Sequence, residues 1–104
     1  MNNIENTYGM LEVTFTKQIS AYCPIGKDYY TAKIGVLYKT NDILVDYCKA
    51  DEFLNGLGGE EAIVEELVTN IYDYFKHYAV EDSLRVTVHA ESNTHFPVTV
   101  TKIG

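Results

Sequence analysis

Leu11, Val13 and Phe15 alternate with Glu12, Thr14 and Thr16, a period of two that predicts a strand with one buried face from Met10 to Ile19. The alternation returns where Tyr30, Ala32, Ile34, Val36 and Tyr38 interleave with Thr31, Lys33, Gly35, Leu37 and Lys39. A second strand of the same kind follows, and the two read as an antiparallel hairpin. Their connection, Tyr22-Cys23-Pro24-Ile25-Gly26-Lys27-Asp28, is expected to be long and functional. Thr40-Asn41-Asp42 signals a turn, and the apolar run Ile43-Leu44-Val45 continues the sheet ahead of a helix.

The period then lengthens. Ala50, Phe53, Leu54 and Leu57 recur at i, i+3, i+4 and i+7, and Gly58-Gly59 follow where a helix ends on a residue free to take positive φ. Glu60 and Glu61 are placed in the first turn of a second helix, where negative charge meets the exposed amide end. Ile63, Leu67, Ile71, Tyr74, Phe75 and Tyr78 keep helical spacing for the following turns. Leu84, Val86 and Val88, then Phe96, Val98 and Val100, alternate again around the polar turn Glu91-Ser92-Asn93 and predict a second hairpin. The order β-β-α-α-β-β makes residues 1-104 a single α+β domain, a four-stranded antiparallel sheet with two helices on one face.

A chain of 104 residues with 46% hydrophobic content can bury a core but gains from association. Its net charge is -7 and Arg85 is its one arginine, so direct binding of nucleic acid is not expected. The start of the chain is polar and carries Glu5, and no apolar run reaches the ~18 residues of a membrane span. A cytoplasmic protein with no membrane partner is expected, and in that compartment Cys23 and Cys48 stay reduced.

Chemistry concentrates in the first connection. Cys23 precedes a proline that stiffens the backbone and lies five residues before Asp28, so a nucleophile and a proton carrier can share one turn. Cys48 reads as a packed or half-exposed thiol at a helix start. Glu65 and Glu66 taken alone read as a solvated helix face. His77 falls at the end of the second helix, His95 in a loop, and His89 on a strand from which it could meet Cys23. No Cys-x-x-Cys or His-x-x-x-His spacing exists, and no metal is expected. Tyr22, Tyr29 or Tyr30 could flank a planar base.

Element order and loop chemistry together resemble the tunnelling-fold (T-fold) family, and within it the enzymes acting on 7-cyano-7-deazaguanine: the reductase of the queuosine pathway (QueF) and its shorter QueF-like relative, the archaeosine amidinotransferase. Cys23-Pro24-Ile25 is similar to the family's Cys-Pro-Val/Ile nucleophile motif, and Asp28 to its downstream aspartate, which usually lies a residue or two further on. Phe53-Leu54-Asn55-Gly56-Leu57 resembles Tyr-Leu-x-Ser-Phe, and Val64-Glu65-Glu66 stands where the family has His-Glu-Asp or His-Glu-Glu. The chain departs from the pattern at Val64, at Gly58 in place of an arginine, and at Asp46-Tyr47-Cys48-Lys49 in place of the reductase's cofactor-contacting Glu-Ser-Lys-Ser.

The resemblance implies that Cys23 and Asp28 are catalytic and that Glu65 holds the deazapurine base. It implies a thioimide intermediate, then reduction to an aminomethyl group or ammonia addition to an amidine. NADPH belongs only to the reductase branch; the cofactor-binding residues are otherwise unknown. The alternative is a degenerate purine- or pterin-binding protein of the same fold, and a lesser one the aldolase or cyclohydrolase chemistry of other branches. The family also implies a homo-oligomer in which sheets join side by side into rings, two rings stacking, with a decamer favoured, and a pocket formed between subunits where Cys23 and Asp28 face Glu65 of a neighbour or of their own chain, so that the monomer has no complete site.

Overall fold

A computed structural model describes residues 4–104 of the chain. Its strands and helices are β1 (Ile4–Glu5), β2 (Leu11–Cys23), β3 (Asp28–Thr40), β4 (Ile43–Leu44), α1 (Tyr47–Leu57), α2 (Val64–Phe75), β5 (Arg85–Glu91) and β6 (Val98–Ile103). The main sheet has the order β2-β3-β5-β6 with every neighbour antiparallel. Both helices cover one of its faces, α1 over β2 and α2 over β5 and β6. The anticipated β-β-α-α-β-β fold is the one observed.

The first hairpin dominates the shape. β2 and β3 have 13 residues each, and at ~3.3 Å per residue such strands run about 43 Å, which accounts for the long axis of 47 Å. β5 pairs only with the middle of β3, from Thr31 to Leu37, so both ends of the hairpin project beyond the rest of the sheet.

Alternation sorts the faces. Ala32, Ile34, Val36 and Tyr38 of β3 and Val86, Val88 and Ala90 of β5 are buried under the helices, joined by Leu67, Val68, Ile71 and Phe75 of α2. Phe75 is fully buried, its ring 5.2 Å from Phe15 and 6.1 Å from Tyr38. The opposite face carries Thr14, Thr16, Thr31, Lys33, Thr87, His89, Thr99 and Thr101, with hydroxyl pairs such as Thr87–Thr101 at 3.1 Å.

Several boundaries differ from expectation. The connection at Cys23 is short: Cys23 pairs with Asp28 as the last rung of the ladder, and only residues 24–27 turn the chain, with Lys27 at φ 54. Ile43 and Leu44 leave the main sheet to pair with Glu5 and Ile4 in a separate two-stranded ribbon. Phe96 lies outside β6 and is 76% exposed, because Pro97 cannot donate to a ladder and the strand starts after it.

The second helix starts later than the acidic pair at 60 and 61 suggested. Glu60 lies in a bend and Glu61 makes a single β-bridge to Tyr22, and Glu65 and Glu66 occupy the first turn of α2. α1 starts earlier, because Asp46 accepts from the N–H groups of Cys48 and Lys49 at 3.0 and 3.2 Å as an N-cap. Its end follows expectation one residue on, with Gly59 at φ 83.

Two predictions follow from the core. Phe75→Ala should cost about 3–5 kcal/mol of stability, read by urea unfolding, and a loss under 1 kcal/mol would contradict its central place. Burial is the main cause that holds the phenol of Tyr30 up to about 12 and raises that of Tyr38 as well. The folded state therefore keeps protons that the unfolded chain releases from the ordinary phenol value of 10.0 upwards. Stability should be level below that pH and decline as pH rises towards about 12, and an unchanged urea midpoint across this window would contradict it.

Candidate functional site

The sulfur is placed by strand register. Cys23 lies two residues beyond Ala21 on β2, and Ala21 pairs with Tyr30, so Cys23 and its partner Asp28 share the sheet face that the helices cover. Cys23 is half-buried and packs against the edge of the core. Its Sγ accepts the Gly26 N–H at 3.4 Å, while its carbonyl accepts from Lys27 at 2.8 Å, closing the turn. The Asp28 carboxylate accepts from the Tyr29 N–H at 2.8 Å. The loop between β5 and β6 reaches the same tip: a Cβ on Gly26 would stand 3.5 Å from Thr94 Oγ1 and 3.8 Å from Cys23 Sγ.

Glu65 comes to this end of the sheet through the segment that precedes α2. Gly59 donates to the Ser20 carbonyl at 2.8 Å, Tyr22 to the Glu60 carbonyl at 3.2 Å, and Ala62 to the Tyr22 carbonyl at 2.9 Å. This short parallel bridge, Tyr22 with Glu61, lays residues 59–62 along the outer edge of β2. Tyr30 fastens the same segment from the sheet, its hydroxyl donating to the Ala62 carbonyl at 2.7 Å. Two residues later α2 begins, with Glu65 and Glu66 exposed in its first turn.

Electrostatics report the same neighbourhood. The Tyr30 phenol is raised first by burial, then by Cys23, Glu65 and Glu66, so one side chain senses both the thiol and the two carboxylates. The structure thus brings Cys23, Asp28 and Glu65 to one end of the molecule, within one chain.

The histidines go elsewhere. His89 pairs across the ladder with Lys33 and Thr99 on the opposite face of the sheet from Cys23, so the meeting of His89 with Cys23 does not occur. It forms its own cluster there, Nδ1 with Thr99 Oγ1 at 2.8 Å and Nε2 with Glu91 Oε1 at 3.3 Å. His95 is exposed and contacts the Phe96 carbonyl through Nδ1, and His77 is exposed just beyond α2. Among the described residues, no group of three or more His, Cys, Asp or Glu is arranged to hold a metal, and no helix is long and apolar enough to cross a membrane.

Tyr22 and Tyr29 stack edge to face at 5.1 Å, and their place in the register puts them on the open face, away from Cys23. Tyr30 is buried on the face that Cys23 shares, and its bond to Ala62 is what sequence reading missed. Two concavities are lined by neither Cys23 nor Glu65. One of about 290 Å³ lies between β2 and α1, lined by Phe15, Lys17, Tyr47 and Leu54. Another of about 330 Å³ lies against Ser20, Tyr29, Tyr30, Thr31 and Glu91.

No known family profile matches the sequence, and no curated protein matches it. Among solved structures, the chain superposes on the apo form of "the archaeosine synthase QueF-Like" with a TM-score of 0.76. The match covers 94% of this chain and 95% of that one, at 17% sequence identity. At that identity the likeness establishes the fold, the tunnelling fold.

The junction before α2 makes a prediction of its own. No atom lies within 4 Å of a Cβ built on Gly59, so its positive φ is the only obstacle to a side chain. Gly59→Ala should cost roughly 1–2 kcal/mol, and Gly59→Asn less, since asparagine tolerates that region. Equal urea midpoints for parent and Gly59→Ala would show that the junction is not held at that angle.

Proposed function

We propose that the protein is a cysteine-dependent enzyme of the 7-deazaguanine pathways, capturing the nitrile of 7-cyano-7-deazaguanine as a thioimide on Cys23. The reading is carried by one observation: the ladder ends on Cys23 paired with Asp28, at the end of the sheet where residues 59–62 deliver Glu65. The fold shared with the archaeosine synthase supports it.

A nitrile carbon is electrophilic, and a thiolate is the side-chain nucleophile suited to it near neutral pH. Asp28 takes the thiol proton. The sulfur adds to the carbon, one π bond of the nitrile becomes a lone pair on nitrogen, and Asp28 returns the proton there to leave a neutral thioimide. The ring N–H and exocyclic amine of the deazaguanine are adjacent donors, which the Glu65 carboxylate accepts as a pair. A base without those donors would leave the carboxylate unpaired, and this gives selectivity.

Two completions balance. Ammonia can add to the thioimide carbon and expel the Cys23 thiolate, giving an amidine; or two hydrides from NADPH, with two protons, give the aminomethyl base and free thiol. Asp46 favours the first, because its carboxylate is occupied in capping α1 where the reductases have cofactor contacts. A second reading, binding without turnover, is favoured by Val64, a half-buried aliphatic residue where the family has an imidazole. The proposed assembly is a homo-oligomer of two stacked rings, a decamer, supported by the outer edges of β2 and β6, which no strand of the described residues covers. Free base and RNA-linked base are both compatible with the exposed position of Glu65; the net charge of -7 favours the free base.

Incubation with 7-cyano-7-deazaguanine should add the mass of the base to the intact chain. Cys23→Ala should abolish the adduct and Cys48→Ala retain it; an adduct on the Cys23 variant would sink the assignment. Glu65→Gln should raise the half-saturating concentration roughly tenfold to a hundredfold, the cost of removing a charged hydrogen-bond acceptor. Ammonia or NADPH added to the preformed adduct then identifies the branch, and inertness to both identifies a binding protein.

A further inference from the structure

Tyr30 lies in the core of the sheet, yet its hydroxyl is spent outside it. The residue is 5% exposed and pairs with Ala21, one same-face step inward from the Cys23–Asp28 rung. Phenylalanine would fill the same space, so the hydroxyl is not needed for packing. Its partner is the Ala62 carbonyl, 2.7 Å away and 32 residues on, while the Ala62 N–H goes to the Tyr22 carbonyl. Ala62 is therefore pinned on both sides by the strand pair that ends on the sulfur. α2 starts at Val64 and Glu65 follows in its first turn, so little chain lies between the pin and the carboxylate.

We propose that Tyr30 is a positioning residue: its hydroxyl bond to Ala62 fixes the first turn of α2 against the end of the hairpin, so that Glu65 and Cys23 engage one bound base. The inference rests on the function proposed above. Tyr30 touches no reacting atom in this scheme and acts through Glu65. When the bond is lost, the backbone bonds of residues 59–62 remain and keep the segment attached. Glu65 then samples positions in which its pair of hydrogen bonds to the base is misaligned, and the sulfur keeps its own contact with Gly26.

The experiment uses the full chain, comparing the parent with Tyr30→Phe, Glu65→Gln and the double variant. Thioimide formation with 7-cyano-7-deazaguanine is titrated by intact mass, and alkylation of Cys23 by iodoacetamide is timed without the base in a Cys48→Ser background. Tyr30→Phe should raise the half-saturating concentration about three- to tenfold and leave the alkylation rate within about twofold. In the Glu65→Gln background it should add no further shift, because two residues acting through one contact are not additive. A purely structural role predicts lowered stability with unchanged half-saturation in the folded protein, and that result overturns the proposal. Equal shifts in both backgrounds overturn it too, by showing that Tyr30 does not work through Glu65. If Tyr30→Phe does not fold, Tyr30→Met, also without a hydroxyl, is judged by the same outcomes. A parent that forms no adduct overturns both this inference and the functional reading; a parent adduct with an unshifted Tyr30→Phe overturns this inference alone.

Discussion

Four hydrogen bonds join the first half of the chain to the second where the chemistry is proposed. Three are backbone bonds between Ser20 and Tyr22 and the residues 59–62, and the fourth is the Tyr30 hydroxyl on Ala62. The hairpin and α2 are separate amphipathic units, and apolar packing would allow them to slide, since it is not directional. Hydrogen bonds are directional, and the two made by buried Ala62, to half-buried Tyr22 and buried Tyr30, are costly to leave unmade, so they set the register between the two units. Every functional statement about Cys23 with Glu65 depends on that register.

The sheet was legible because its alternation is long and regular. Ala32, Ile34, Val36 and Tyr38 declare one face of β3 without help from other segments, and the buried set matches them. Boundaries were less legible where a contact distant in sequence decides them. Glu60 and Glu61 look like a first helical turn, yet the Glu60 carbonyl accepts from the Tyr22 N–H and Glu61 bridges Tyr22, and α2 is deferred to Val64. Phe96 fits the alternation of β6, but the alternation says nothing of the missing N–H at Pro97.

Of the site, Cys23, Asp28 and Glu65 were named from local motifs and resemblance, and the fold gathers them at one end. The short connection changes their relation. Cys23 and Asp28 are opposed on a ladder, which fixes both backbones more firmly than a long loop would. His89 could not be assigned a side from its spacing to Cys23; only the pairing of β3 with β5 puts it on the far face, where it joins Thr99 and Glu91. The task of Tyr30 was hidden for the same reason, its partner being remote in sequence. A signal was present in the chain: a tyrosine in an apolar column of a central strand must find an acceptor.

The lead-in to α2 also acts as an end stop. Because it lies along β2 at Ser20 and Tyr22, the outer margin of that strand is already occupied at the sulfur end. A foreign strand adding to the same margin has only the stretch from Leu11 to Gln18 to zip onto. The chain thereby measures out, with its own backbone, how far a strand can advance along that margin.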